Sequence, residues 1–487
     1  MRVVCVVLAG VLAVNLPARA QFAFEPAQAD LFASGTLTNA WADYDEDGDP
    51  DLFVGFNGGR NRLYRNDAGV MRDDMGEAGL ADRRPTRASA WGDYDGDGDP
   101  DLVVGYAPAA DAIVLRLYRN TGGRFTDVTI ASGVTAGPGA VRQLAWIDFD
   151  GDGDLDLFVA MRDRANAMLV NRGGRFRNEA DRLGLADPRR SVGAVWLDYD
   201  QDGDLDLYVA NMDGDANGLY RNTGGHFTDV AAAAGAAWAG RPPRDAAAGT
   251  VRPCAFDANG DGRLDLFGAN YGVNGLLLVG PGGIARDASR LLGVATEGRF
   301  DTCAPADVNN DGRTDFYVNG TITGGVAYRD YLFHHTGDVF SDATPAGVEA
   351  LPASHGASWA DFDADGDLDL ALAGTTPASM PLLLRNMLPR VPGRSLQVRV
   401  LDARRRATRA GAEVRVYLAG TRRLLATGLV DSGSGYNSQS DLPVHLGLPA
   451  DGRVDVQVIF PARGRRAPVW ARGVFPSRTP AITLIAP

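Results

Sequence analysis

One nine-residue pattern, D-x-[DN]-x-D-G-x-x-D, occurs seven times along the chain, and its residue types are those that hold a hard cation. The side-chain oxygens fall at positions 1, 3, 5 and 9. The seven sets are Asp43, Asp45, Asp47 and Asp51; Asp93, Asp95, Asp97 and Asp101; Asp148, Asp150, Asp152 and Asp156; Asp198, Asp200, Asp202 and Asp206; Asp257, Asn259, Asp261 and Asp265; Asp307, Asn309, Asp311 and Asp315; and Asp361, Asp363, Asp365 and Asp369. Glycine at position 6 permits a sharp turn, and the carbonyl at position 7 adds another oxygen. Calcium takes such an oxygen cage, whereas magnesium keeps more water and zinc prefers nitrogen and sulfur, which no liganding position offers. Two carboxylates about 4 Å apart repel by roughly 4 kcal/mol at an effective dielectric of 20, so the loops need a cation to close. Seven structural calcium ions are expected, held most weakly at the loops with Asn259 and Asn309, which carry one carboxylate fewer.

The elements that position these loops follow from their spacing, which is 50, 55, 50, 59, 50 and 54 residues. A period in the fifties with one β-type unit per repeat is that of a propeller built from four-stranded blades. An apolar stretch ending in Trp41, Trp91, Trp146, Trp196 or Trp359 precedes the loop, and a stretch such as Asp101-Leu-Val-Val-Gly follows it. The acidic loop is then the turn of a hairpin. Leu117-Tyr-Arg-Asn-Thr-Gly-Gly-Arg-Phe-Thr-Asp-Val128, with relatives at Leu63, Leu169, Leu219 and Leu332, supplies two further strands around a Gly-rich turn. The Trp and Phe positions read as blade core. An all-β fold is expected, a seven-bladed β-propeller followed by a small β domain. The seventh repeat lacks the Phe-x-Asp-Val strand, and Phe22-Ala-Phe-Glu-Pro26 stands unused near the start. Residues of about 21 to 31 should therefore complete the last blade beside Leu382 to Arg385 and protect its edge.

Residues 1–20, with Arg2 ahead of an apolar run from Val3 to Val14 and then Ala18-Arg19-Ala20, read as a secretory signal peptide. The run is too short to span a bilayer, so a secreted or periplasmic protein without a membrane span is expected. Residues 21–389 form the propeller. From about Arg390 to residue 487 the composition changes: 16 arginines stand against 6 acids, and strands alternate as in Leu396-Gln-Val-Arg-Val-Leu401, Glu413-Val-Arg-Val-Tyr-Leu418 and Val454-Asp-Val-Gln-Val-Ile459. The whole chain of 487 residues carries 62 acids and a net charge of -14, which disfavours nucleic acid as partner. All 48 basic residues are arginine. The absence of lysine removes P-loop, Schiff-base and Ser-Lys chemistries, and the arginine bias suggests a GC-rich bacterial genome.

The repeats resemble FG-GAP/VCBS repeats, similar to the calcium-loop blades of the integrin α-subunit propeller. Gly411-Ala-Glu-Val-Arg-Val416, Asp431-Ser-Gly-Ser-Gly-Tyr-Asn-Ser-Gln-Ser440 and His445-Leu-Gly-Leu448 resemble the ASPIC/UnbV domain. Together they match the architecture of the cartilage acidic protein family and its bacterial relatives. The resemblance implies a secreted calcium-binding protein, and leaves its molecular activity undefined.

Blades five and six lack the tryptophan. Near that place stand Cys254 and Cys303, three and four residues before their loops, which in an exported chain could form a disulfide or remain two buried thiols. In the C-terminal segment Ser434, Tyr436, Asn437 and Gln439 offer hydroxyl and amide groups to a polar ligand such as a sugar, or merely connect strands. The surplus of arginine there suggests docking on the acidic propeller. The function expected first is a binding or adhesion module, monomeric, for an extracellular glycan or protein. A calcium-dependent enzyme on extracellular polysaccharide is the alternative, and a scaffold of an envelope assembly the third reading. No histidine lies in a recognisable nucleophile motif; His334 and His335, near Tyr328 and Tyr331, mark the one place where a general base and a phenol could converge.

Overall fold

The computed structural model describes the chain except residues 1–21, 29–34, 81–82, 109–112, 239–247, 350–354, 375–381, 408, 432, 434–437, 442 and 462. The signal-peptide segment thus lies outside the described residues, as do Ser434, Tyr436 and Asn437.

The first repeat folds as four antiparallel strands in sequence order, Thr36–Ala42, Asp51–Phe56, Arg62–Asp67 and Val70–Asp73. The first two are buried along their whole length, because both faces of an inner strand meet other blades. The same meander recurs with inner strands Thr86–Gly92, Val141–Ile147, Ser191–Leu197, Gly249–Phe256, Glu297–Ala306 and Gly356–Ala360. Each inner strand packs on the next, and Gly356–Ala360 packs back on Thr36–Ala42, so the sheets stand around an axis as a propeller. Among the described residues, units five and six share one continuous sheet, because Tyr271–Val273 pairs with Glu297–Arg299. The sixth also carries an extra hairpin, Ile322–Thr323 with Val326–Ala327. In the last sheet the outer strand is Phe24–Ala27, antiparallel to Leu382–Asn386 with Phe24 opposite Asn386.

Tryptophan stitches neighbouring blades. The Trp91 indole N–H donates to the Ala40 carbonyl at 3.1 Å, that of Trp146 to Ala90 at 3.3 Å, and that of Trp359 to Ala304 at 3.0 Å. Blades five and six have Ala255 and Pro305 at the equivalent positions. There the Cys254–Cys303 disulfide joins the two blades, with Cα atoms 6.0 Å apart. Side chains alternate between the faces of a strand, so an offset of one position turns the two sulfurs toward each other across the blade interface. Alkylation under denaturing conditions should therefore label neither cysteine until reductant is added, as intact mass will show; two thiols reacting without reductant would contradict the bond.

The C-terminal part forms two sheets. Ser395–Leu401 lies between Val444–Gly447 and Ala481–Ile485, and the other sheet orders Leu424–Leu429, Glu413–Leu418, Val454–Pro461 and Arg466–Val474. Their core contains Leu396, Val398, Val414, Val416, Val456 and Val458. No helix of the described residues is long and apolar enough to cross a membrane.

Candidate metal centres

Each acidic loop is fixed first by its ninth residue. Asp101 is fully buried; its Oδ2 accepts the Tyr94 N–H at 3.0 Å, and its Oδ1 accepts the Asn120 N–H, from the third strand, at 2.8 Å. Asp51 bonds Tyr44 and Asn66 in the same way, and Asp369 bonds Phe362 and Asn386. A carboxylate with two N–H donors closes the loop's two ends onto the sheet. The asparagine that meets it also reaches outward: Asn120 Nδ2 donates to Tyr44 O at 2.7 Å, Asn171 Nδ2 to Tyr94 O at 2.8 Å, Asn66 Nδ2 to Phe362 O at 2.7 Å, and Asn386 Nδ2 to Val308 O at 2.9 Å. Each of these carbonyls belongs to position 2 of the preceding blade's loop. From the sequence these asparagines read as part of a strand; the available signal is an Asn recurring at one place in the third strand, in Tyr-Arg-Asn for Asn66 and Asn120 but in Leu-Val-Asn for Asn171 and Leu-Arg-Asn for Asn386.

Within the loops the acids converge. Ligand atoms of Asp43, Asp45 and Asp51 lie within 4.8 Å of one another, as do those of Asp93, Asp95 and Asp101; Asp148, Asp150 and Asp152; Asp198, Asp200 and Asp206; and Asp361, Asp363 and Asp365. Asp47, Asp97, Asp156, Asp202 and Asp369 occupy the remaining positions of the same loops. Burial, with the neighbouring carboxylates adding to it, pushes Asp93 and Asp148 up to about 6, Asp198 and Asp361 to about 7, and Asp101, Asp156, Asp206 and Asp369 to about 9. Crowded anions in a site of low dielectric either take protons or take a cation. Asp43 Oδ1, Asp148 Oδ1, Asp198 Oδ1 and Asp361 Oδ1 are moreover buried with no hydrogen-bond partner. All the donors are hard oxygens, so the residues present fit a calcium-like ion.

Loops five and six differ as the asparagines require. Asn259 Nδ2 donates to Asp261 Oδ2 at 3.2 Å, and Asn309 Nδ2 to Asp311 Oδ2 at 3.3 Å. Asp261 N–H and Asp311 N–H close back on Asp257 Oδ1 and Asp307 Oδ1, each at 3.1 Å. An amide in place of a carboxylate lets these loops hold themselves by hydrogen bonds. Asp265 and Asp315 keep the ninth-position role, bonding Ala258 and Val308.

His334 does not meet a tyrosine hydroxyl in a cleft. It is buried, with Nδ1 2.9 Å from Asp315 Oδ1, and His335 packs beside it on Phe340. Gln439 differs from the ligand-reading role. It is buried at the propeller axis, its Oε1 accepting the Trp91 N–H at 2.8 Å, while its N–H donates to Asn39 O and its carbonyl accepts the Trp41 N–H, both at 3.1 Å. Ser440 Oγ accepts the Trp359 N–H at 3.1 Å, and Asp441 N–H donates to Trp359 O at 3.0 Å. This end of the polar segment is a plug that touches the first, second and seventh blades.

A ring of β-meanders with acidic hairpin loops defines a repeat class, and FG-GAP-like repeat models match residues 43–104, 106–159, 148–209, 198–268, 257–318 and 307–372. The chain belongs to the FG-GAP-like repeat family; residues 403–468 match the ASPIC and UnbV family. It is similar to cartilage acidic protein 1 of Mus musculus, at 27% identity over an alignment of 366 residues, with 69% of this chain and 53% of that one covered. The chain thus spans about half the length of the curated relative it matches. Among solved structures it is similar to BBS1N, crystallised in complex with ARL6DN, at 11% identity and TM-score 0.47, covering 76% of this chain and 97% of that one. It is also similar to an Agrocybe aegerita lectin that recognises non-reducing terminal N-acetylglucosamine, at 16% identity and TM-score 0.39, covering 73% and 90%.

Proposed function

We propose that the chain is an exported, calcium-loaded propeller that serves as a binding module for an extracellular glycan or protein. The observation that carries the metal part is the set of buried, unpartnered carboxylate oxygens in loops one, three, four and seven, beside acids already drawn within 4.8 Å. Calcium would be held by positions 1, 3, 5 and 9 of each loop, seven ions in all, with the two asparagine loops weakest. Residues 1–20 serve as the export signal, 21–389 as the propeller and 390–487 as the second domain. The disulfide supports an oxidising compartment, secreted or periplasmic.

Binding is favoured over catalysis because the histidine pair that offered a general base is used structurally, His334 on Asp315 and His335 packed on Phe340, while His445, half-buried, has Nε2 2.7 Å from Asn310 Oδ1. A glycan array probed with the full chain should show retained ligand in calcium and its loss in chelator. Shortened or unsaturated glycan products, read by mass spectrometry, would instead establish the polysaccharide-active enzyme. Retention that ignores chelator would separate recognition from the ions.

A further inference from the structure

The C-terminal sheets sit on the acidic-loop side of the propeller, and their arginines bond the loops themselves. Asp148 and Asp198, the first ligands of loops three and four, are 4% and 2% exposed. Arg409 Nη1 lies 2.9 Å from Asp148 Oδ2, and Arg466 Nε lies 3.1 Å from Asp198 Oδ2. On both carboxylates the other oxygen, Oδ1, is buried without a hydrogen-bond partner; Arg409 hydrogen-bonds Asp148 Oδ2, whereas Arg466 meets Asp198 Oδ2 as an ion pair alone. One oxygen is thus taken by the second domain and the other is left to the loop. Further contacts are to loop backbone: Arg463 Nε donates to Asp150 O at 2.8 Å, and Arg394 Nη2 to Asn310 O at 2.9 Å.

We infer that ion loading of loops three and four and docking of the C-terminal domain are one linked equilibrium, transmitted by Arg409 and Arg466 through Asp148 and Asp198. This rests on the calcium reading of the loops. The sign follows from competing terms. An ion-free loop is more negative and attracts arginine more, but that attraction is long-ranged and screened by salt. The bonds to Asp150 O and the Asp148 carboxylate, and the close ion pair to Asp198, are short-ranged and require the closed loop, which like-charge repulsion opens when the ion leaves. Ion binding therefore favours docking, and by reciprocity docking tightens the ion.

The test uses the full chain. Calorimetric titration with calcium gives the sites, and hydrogen exchange read by mass spectrometry gives docking, in calcium and in chelator. In calcium, the Ser438–Asp441 segment should be protected. In chelator its exchange should quicken at least tenfold while Val454–Pro461, in the domain's own core, stays protected, which marks undocking rather than unfolding. The double variant Arg409→Gln, Arg466→Gln should weaken two calcium sites by about tenfold, within the usual span of allosteric coupling, and spare the others. Calcium binding at all loops with unchanged exchange at 438–441, or a double variant that binds calcium as the wild type does, would overturn the linkage alone. No calcium uptake at all would overturn the loop reading beneath it.

Discussion

In chelator the protein is expected to melt far below its melting temperature in calcium. A ligand that binds only the folded state at a hundred times its dissociation constant adds about 2.7 kcal/mol, so three filled sites would add about 8 kcal/mol. That approaches the whole stability of an ordinary domain, about 5 to 15 kcal/mol. The loss should be larger here than for a single surface site, because the bracketing asparagines tie each of several loops to the blade before it, as Asn120 ties the second blade to Tyr44 O. Differential scanning calorimetry in calcium, magnesium and chelator is the measurement. Melts that superimpose would leave the loops without a structural ion.

The second large effect separates two acids of one loop. Asp101→Ala removes the acceptor of two buried backbone N–H groups, Tyr94 and Asn120, and should destabilise by about 2 to 6 kcal/mol even in chelator, at about 1 to 3 kcal/mol for each orphaned group. Asp97→Ala removes an exposed acid whose Oδ1 accepts the nearby Asp99 N–H in the loop. It should weaken the ion yet melt in chelator at or slightly above the wild type, since Asp97 helps raise both Asp93 and Asp95 by repulsion. Thermal melts of the two variants with and without calcium decide it. If both fall equally in chelator, the ninth residue has no role beyond that of a ligand.

The loops were legible because their chemistry is local: nine adjacent residues carry the donors, the turn glycine and the spacing. The closing strand was legible for the opposite reason, since a blade that ends at Asn386 leaves an edge, and Phe24–Ala27 fills it. The cysteine pair was legible in place but not in state: Cys254 and Cys303 stand at matching places of adjacent blades, and only the fold joins them. What the residues did not show was partnership across the fold. The Asn66 and Asn120 side chains find carbonyls in a neighbouring blade, and nothing in Tyr-Arg-Asn says how far that blade stands. Gln439 looked like part of a polar ligand loop because its burial comes wholly from docking at the axis, where Trp91 supplies the bond. Composition marked the arginines as complementary to the propeller, but only geometry assigns Arg409 to Asp148 and Arg466 to Asp198.

The last blade, built from both ends of the propeller, gives the molecule a check on its own completeness. A ribosome makes Phe24–Ala27 before any blade exists and makes its partner, Leu382–Asn386, only when the final repeat emerges. Every product that stops before Leu382 keeps its first strand without that partner and leaves a sheet edge open to proteases and to other chains. Closing so distant a pair slows assembly, since contacts far apart in sequence form late. Only a chain that has been translated through Asn386 can hide that edge, so the open strand marks every chain whose ring of blades is still incomplete.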